Sequence, residues 1–274
     1  LFSRNVVYEN PNGIDGTHSY SVRLTDEKLE WLRKDLATVD KQTPVFVGMH
    51  VPLHKTPTLD DTGRTTTSYN MEDAERFVEC LEGYDVNILT GHTHYNFNIT
   101  KSERLREHNI AAVCATWWWT GHTDYAGNHI CRDGSPGGYK IFEATGSDVR
   151  WYYKSIGKDA GYQFRTYDLN ECLLEKSDFC PSASDSDFAK YAFGYDRAND
   201  NNEVLINVFD WADDWKIEVT DLSDDSSLAV QRVRTHDPLH VISYNMRKLD
   251  KKSAMTFPTS YSAHMFKVKA RTAS

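Results

Sequence analysis

Nowhere does the chain assemble the roughly twenty consecutive apolar residues that a membrane-crossing helix needs, and a run such as Val45, Phe46, Val47, Gly48, Met49 stops after a handful. No transmembrane helix is expected. The charged, apolar, then small-residue order of a secretory leader is also missing from the start. The opening LFSRNVVYENP reads as the tail of a strand, so the sequence is expected to begin inside a domain. Cysteine is scarce: five are scattered over 274 residues with no Cys-x-x-Cys pair, which excludes zinc-finger and ribbon frameworks. Cys172 and Cys180 are spaced to close a small loop in an oxidising compartment, and unpaired, partly buried thiols are the competing reading. Basic residues are outnumbered, 31 against 40 acids, for a formal net charge of -9. No broad basic face is left for the backbone of long nucleic acid, and a small phosphorylated substrate would need locally placed cations. Bound metal ions can supply those. No Gly-x-Ser-x-Gly elbow supports a serine hydrolase. What remains is ordinary globular material, 39% hydrophobic and 26% charged, long enough to bury one large core or two smaller ones.

The first half alternates helices and strands. Thr25, Asp26 and Glu27 supply a cap and first-turn acids, and Leu29, Leu32 and Leu36 follow at helical spacing, predicting a helix that ends near Val39. The apolar run Val45 to Met49 then reads as a strand buried on both faces and leads directly into His50. A second helix, with Met71, Ala74, Phe77, Val78 and Leu81 on one face, precedes the strand Val86 to Thr90, which leads directly into Gly91-His92-Thr93-His94. Parallel strands of an α/β sheet are the expected outcome, with ligands gathering beyond their carboxyl ends. Ile110 to Ala115 reads as a further strand, and Gly138 to Ile156 as a hairpin turning at Thr145, Gly146 and Ser147. From about Gly161 the pattern changes to an acidic, serine-rich stretch and short strands at Val204 to Phe209, Trp215 to Thr220 and Met265 to Ala270. The division expected is an α/β domain over 1–158 and a small all-β, sandwich-like domain over 159–274.

Histidine binds borderline divalent metals through a neutral ring nitrogen, and rings from neighbouring strand ends can converge. His50, His92 and His94 are therefore the candidate ligands. VFVGMHVPLH followed by NILTGHTH resembles the last two metal-binding motifs of the calcineurin-like metallophosphoesterases. CATWWWTG, RDGSPGGYKIF and VRWYYKSIG resemble the segment closing the catalytic domain in a bacterial branch with an extra C-terminal β domain. The similarity spans about Thr17 to Lys158 well and the rest in layout only. It implies the C-terminal part of an α/β/β/α sandwich in which two ions of the Mn, Fe or Zn class hydrolyse a phosphoester, His50 and His92 serving one ion and His94 the other. Localisation stays open, the resemblance pointing only to relatives exported to the bacterial envelope or periplasm. The family's earlier motifs, Asp-x-His, Gly-Asp-x-x-Asp and Gly-Asn-His, are absent. The sequence thus carries the histidine half of a dinuclear site: it would hold at most one ion, be nearly inactive alone, and need the N-terminal part of the same protein to supply the bridging carboxylate. Monoester and diester substrates stay equally open. The alternative is an inactive binding module for a glycan, a peptide or an envelope component.

Other candidates have two readings each. Trp117, Trp118 and Trp119 either offer a stacking surface to substrate or pack the two domains together. Asp133 either touches substrate or orders the turn around Gly134, Gly137 and Gly138. His54 either sits near the site or lies exposed on a loop, while His236 and His240 read as surface residues. Gly127-Asn128-His129 spells a family motif in the wrong order and reads as a loop coincidence, and the short echo of GHTH at 121–124 is set aside.

Overall fold

A computed structural model describes residues 2–3, 5–8, 20–121 and 125–271. Most of the GHTD echo and the first residues of the matched Thr17 segment lie outside the described residues. In chain order the first half contains β1 (Phe2–Ser3), β2 (Val6–Tyr8), β3 (Tyr20–Val22), α1 (Asp26–Leu36), β4 (Pro44–Met49), β5 (Thr58–Leu59), β6 (Thr65–Thr66), α2 (Ala74–Cys80), β7 (Asp85–Thr90), β8 (Phe97–Ser102) and β9 (Leu105–Asn109). Five of these form one sheet in the order β1-β4-β7-β9-β8. The first four run parallel, and β8 is antiparallel at the edge.

Helix α1 starts where its sequence asks it to. The Thr25 side chain accepts the Lys28 N–H at 3.4 Å, acids occupy the first turn and Arg33 and Lys34 the last, a cap and dipole arrangement worth about 1 kcal/mol. Leu29, Leu32 and Leu36 face Ala74 and Phe77 of α2 and the inward row Val45, Val47, Met49, Val86 and Ile88 of β4 and β7. Each such side chain removed from water contributes roughly 1.5–3 kcal/mol before the cost of ordering the chain is set against it.

The opposite face of the sheet is covered by the hairpin β10 (Gly138–Thr145) and β11 (Asp148–Ser155). Its two-residue turn is Gly146-Ser147, with Gly146 at φ 61°. Phe142 of β10 meets Phe46 of β4 edge to face at 5.6 Å and His108 of β9 at 5.1 Å. That interface is partly polar. His108 bonds Asn87 and Asn98 at 3.1 and 2.9 Å, and Lys140 reaches Asp210 at 2.7 Å with both side chains 0% exposed. Burial and the nearby Lys140 and Arg106 charges hold the His108 imidazole far below its ordinary pKa.

The remainder contains β12 (Phe164–Asp168), α3 (Lys176–Phe179), α4 (Asp185–Ala192), β13 (Glu203–Val208), β14 (Thr220–Asp221), β15 (Ser226–Ser227), β16 (Val230–Thr235), α5 (Pro238–His240), a π-helical turn over Val241–Met246, α6 (Arg247–Asp250) and β17 (Ser262–Lys269). A four-stranded antiparallel sheet in the order β12-β13-β17-β16 is its spine. Alternation along β13 and β17 divides the packing. Ile206, Val208, Phe266 and Val268 meet Trp211, Trp215 and Ile217 of the loop that follows β13, while Leu205 and Met265 face Leu169 and Tyr195.

The fold is the mixed α/β class expected, an α/β portion followed by a β region, with several local corrections. Ile110 to Ala115 is not a strand: β9 lies five residues earlier, and the chain turns through left-handed residues at Ala115, Trp117 and Trp118. Trp215 to Ile217 contributes packing without pairing, and only Thr220–Asp221 is a strand there. The serine-rich stretch becomes α4 because Ser184 caps it by accepting the Asp187 N–H at 3.1 Å. Cys172 and Cys180 do not pair, and all five cysteines are free. His236 and His240 are buried rather than superficial: His236 lies between Phe193 and Tyr261, and His240 bonds Thr116 and Thr259.

Candidate functional site

The parallel pairing of β4 with β7 puts Gly48 opposite Leu89, so both strands end at one edge and the next residues, His50 and Gly91-His92, meet there. The Gly91 N–H bonds the His50 carbonyl at 3.1 Å. His92 Nδ1 lies 3.0 Å from His50 Nε2, with the rings 4.8 Å apart at 74°. On its other side His92 Nε2 is 3.1 Å from the Tyr20 hydroxyl. Burial, then the neighbouring His50 and His94, pull the His92 imidazole below its ordinary pKa. The ring is thus biased toward the neutral form, the one that ligates metals.

His94 is aimed differently. His92 and His94 both adopt left-handed backbone conformations, φ 69° and 59°, which cost about 1–2 kcal/mol each for residues with a Cβ. The two rings engage different partners. His94 Nδ1 donates to the Ala115 carbonyl at 2.8 Å and its ring lies against Trp117 at 4.4 Å. Because a carbonyl only accepts, the proton sits on Nδ1 and the Nε2 lone pair is the one left for a ligand.

The chemistry of this donor set fits half of a divalent site. One of the two facing nitrogens of His50 and His92 carries the proton between them; moving that proton to the other nitrogen of the same ring frees both facing lone pairs for a cation, and the carbonyl fixes the third ring's tautomer. No carboxyl group bonds any of the three rings among the described residues, and no group of three or more His, Cys, Asp or Glu side chains is arranged there to hold a metal ion. His50 and His92 are therefore brought together, and His94, although adjacent in sequence, is not gathered with them into one ligand cluster.

Glu107, a residue that motif reading passes over, underlies the rim. Only 1% exposed, its carboxyl group accepts the Leu53 N–H at 2.7 Å, the His54 N–H at 3.1 Å, His54 Nδ1 at 2.7 Å and the Thr90 hydroxyl at 3.1 Å. It therefore binds the loop after His50 to the strand end before His92. Two residues on, hence on the same face of β9, Asn109 holds Thr93 and the Tyr95 carbonyl at 2.5 and 2.6 Å. Asn5 clasps Val51 through both backbone groups at 2.7 and 3.0 Å. The available signal was a strand reading Arg-Glu-His-Asn next to a sheet core: polar residues in a buried strand must be spent on partners.

The other candidates separate. His54 is buried, correcting the exposed-loop reading, and lines a cleft of about 420 Å³ together with Tyr20, Pro52, Thr56, Asn70 and His92. That volume suits a small ligand. Asp133 is buried and occupied by the Asn96 N–H, the Ser135 N–H and hydroxyl, and His264. It ties its turn to β17. Trp119 stacks on Tyr244 at 18° and 6.1 Å and touches Phe257, while Trp117 bridges His94 and Phe257. Trp118 remains 51% exposed beside His129. All three keep open faces, Trp117 at 46% and Trp119 at 38% exposed, and Trp117 and Trp119 also make ring contacts with the C-terminal region.

One family model matches, the C-terminal region of calcineurin-like phosphoesterases, over residues 107–273. With more than half its length matched, the chain belongs to that family. No curated protein and no solved structure matches it.

Proposed function

We propose that this chain is the histidine-bearing, C-terminal part of a metal-dependent phosphoesterase, acting on a small phosphorylated monoester or diester. The supporting observation is the 3.0 Å approach of His50 Nε2 and His92 Nδ1 at the carboxyl edge of two parallel strands, beside an open cleft. Divalent ions of the Mn, Fe or Zn class, when bound, supply the positive charge that offsets a phosphate and lowers the pKa of water. In this reading His50, His92 and His94 are nitrogen ligands, and carboxylates from an N-terminal part complete the dinuclear set. His54 and Tyr20 border the cleft where the phosphoryl group enters, and Trp118 offers a face to the rest of the substrate.

The test is hydrolysis of a chromogenic phosphomonoester and phosphodiester with added manganese or zinc. The chain alone is expected to be nearly inert, the protein completed with its N-terminal part active, and the completed His92→Ala variant down at least a hundredfold. A completed protein that stays inert with every metal would refute the enzymatic reading and favour a glycan- or peptide-binding module.

A further inference from the structure

Away from the histidine rim, the π-helical turn Val241–Met246 and the helix after it build a pocket of about 140 Å³ lined by Trp119, Ser243, Tyr244, Arg247, Lys248 and Lys251, with Ser253 at its edge. π-Helical turns recur at functional sites, but the chemistry here is more specific. Three cationic side chains line it, no acidic residue does, and none of the three forms an ion pair among the described residues of a chain whose net charge is -9. Asp250, on the same helix, accepts the Ser182 N–H instead. Arg247 is steadied by donating through Nη1 to the Trp119 carbonyl at 2.6 Å, which leaves further guanidinium N–H groups to act. Lys248 Nζ lies 4.5 Å from the Trp119 ring centre and 5.4 Å from that of Tyr244.

The second observation is independent of charge. Ser243 is 0% exposed, lines this pocket, and its hydroxyl has no hydrogen-bond partner among the described residues. A buried hydroxyl without a partner is costly and calls for an occupant. The pocket is smaller than the roughly 300 Å³ at which whole-ligand sites begin, so it holds a group rather than a whole molecule. We infer that it is a binding site for a tetrahedral oxyanion, a phosphate or sulfate group, received by Arg247, Lys248, Lys251 and the Ser243 hydroxyl over the Trp119–Tyr244 stack.

Isothermal titration of the full chain with inorganic phosphate, sulfate and glucose 6-phosphate tests this, with urea unfolding run in parallel. One equivalent is expected to bind. Lys248→Gln combined with Lys251→Gln should weaken binding at least tenfold, Ser243→Ala about tenfold, and His92→Ala not at all. Ser243→Ala should leave the unfolding midpoint unchanged or higher, because it removes an unpaired polar group. Equal affinities for phosphate and the sugar ester assign the pocket to the free ion, and tighter ester binding assigns it to an ester group over the aromatic pair. The inference is overturned if the wild type binds none of the three, if the lysine double variant or Ser243→Ala binds as the wild type does, or if His92→Ala abolishes binding.

Discussion

Replacing Glu107 by alanine should loosen the rim more than any change to the histidines themselves. The substitution strips the acceptor from the Leu53 and His54 N–H groups, from the His54 imidazole and from the Thr90 hydroxyl. All lie in or beside buried structure, and each orphaned buried donor costs about 1–3 kcal/mol, less where water can enter the cavity. Allowing for non-additivity within one network, a loss of about 3–5 kcal/mol is expected, a large share of the 5–15 kcal/mol that holds a typical domain together. Glu107→Gln keeps one acceptor oxygen but turns an amide donor toward other donors, for about 2 kcal/mol. Urea unfolding followed by tryptophan fluorescence measures both, with the imidazole NMR signals of His50, His54 and His92 reporting on the rim. A cost under about 1 kcal/mol for the alanine variant would refute the assignment of Glu107 as the anchor of both loops.

Gly134→Ala is expected to be among the most damaging single substitutions: at φ 82° a Cβ would sit 2.0 Å from Asp237 Cγ, on a buried carboxyl group that bonds Tyr167, Asn207 and the His240 N–H. A loss above about 3 kcal/mol in urea unfolding is expected, and a soluble variant of near wild-type stability would contradict it. Burial pushes His236 down to about 4 and His240 to about 3, so between about pH 6.5 and those values the unfolded chain binds protons that the folded chain refuses. Stability should therefore be intact above pH 6.5 and fall on acidification by about 1.4 kcal/mol per pH unit for each ring. His236→Phe, which keeps the aromatic stack, should remove its share of that slope in urea unfolding between pH 5 and 6.5; an unchanged slope would count against this. Lys140→Met should cost about 3–5 kcal/mol because it strands Asp210, 0% exposed, without its cation. Adding Asp210→Leu should recover part of that, and a double variant worse than the sum of the singles would show that the pair is not coupled as described.

Elements with strong periodicity and flanking signals were legible. Helix α1, β4, β7 and the β10–β11 hairpin lie within a residue or a few of their expected positions, because caps, apolar runs and Gly146 act locally. The joint placement of His50 and His92 followed from strand order alone. What escaped depended on partners distant in sequence. Strand β9 is polar, Leu-Arg-Glu-His-Asn, because its side chains serve Leu53, His54, Asn87 and Asn98. His236 and His240 sit in a polar stretch but are buried by Phe193, Tyr261 and Thr116, which only the fold brings near. The left-handed backbone at His92 and His94, and the turn of the His94 ring to Ala115 and Trp117, are not announced by the composition of Gly-His-Thr-His.

The most direct test of the histidine rim is an imidazole-detected NMR titration of the chain with zinc at neutral pH. One equivalent of zinc is expected to perturb the His50 and His92 ring nitrogens together, leaving those of the buried His108, His236 and His240 in place, and His92→Ala to abolish the His50 response. Zinc that leaves the His50 and His92 signals unmoved, or shifts one without the other, would contradict that expectation.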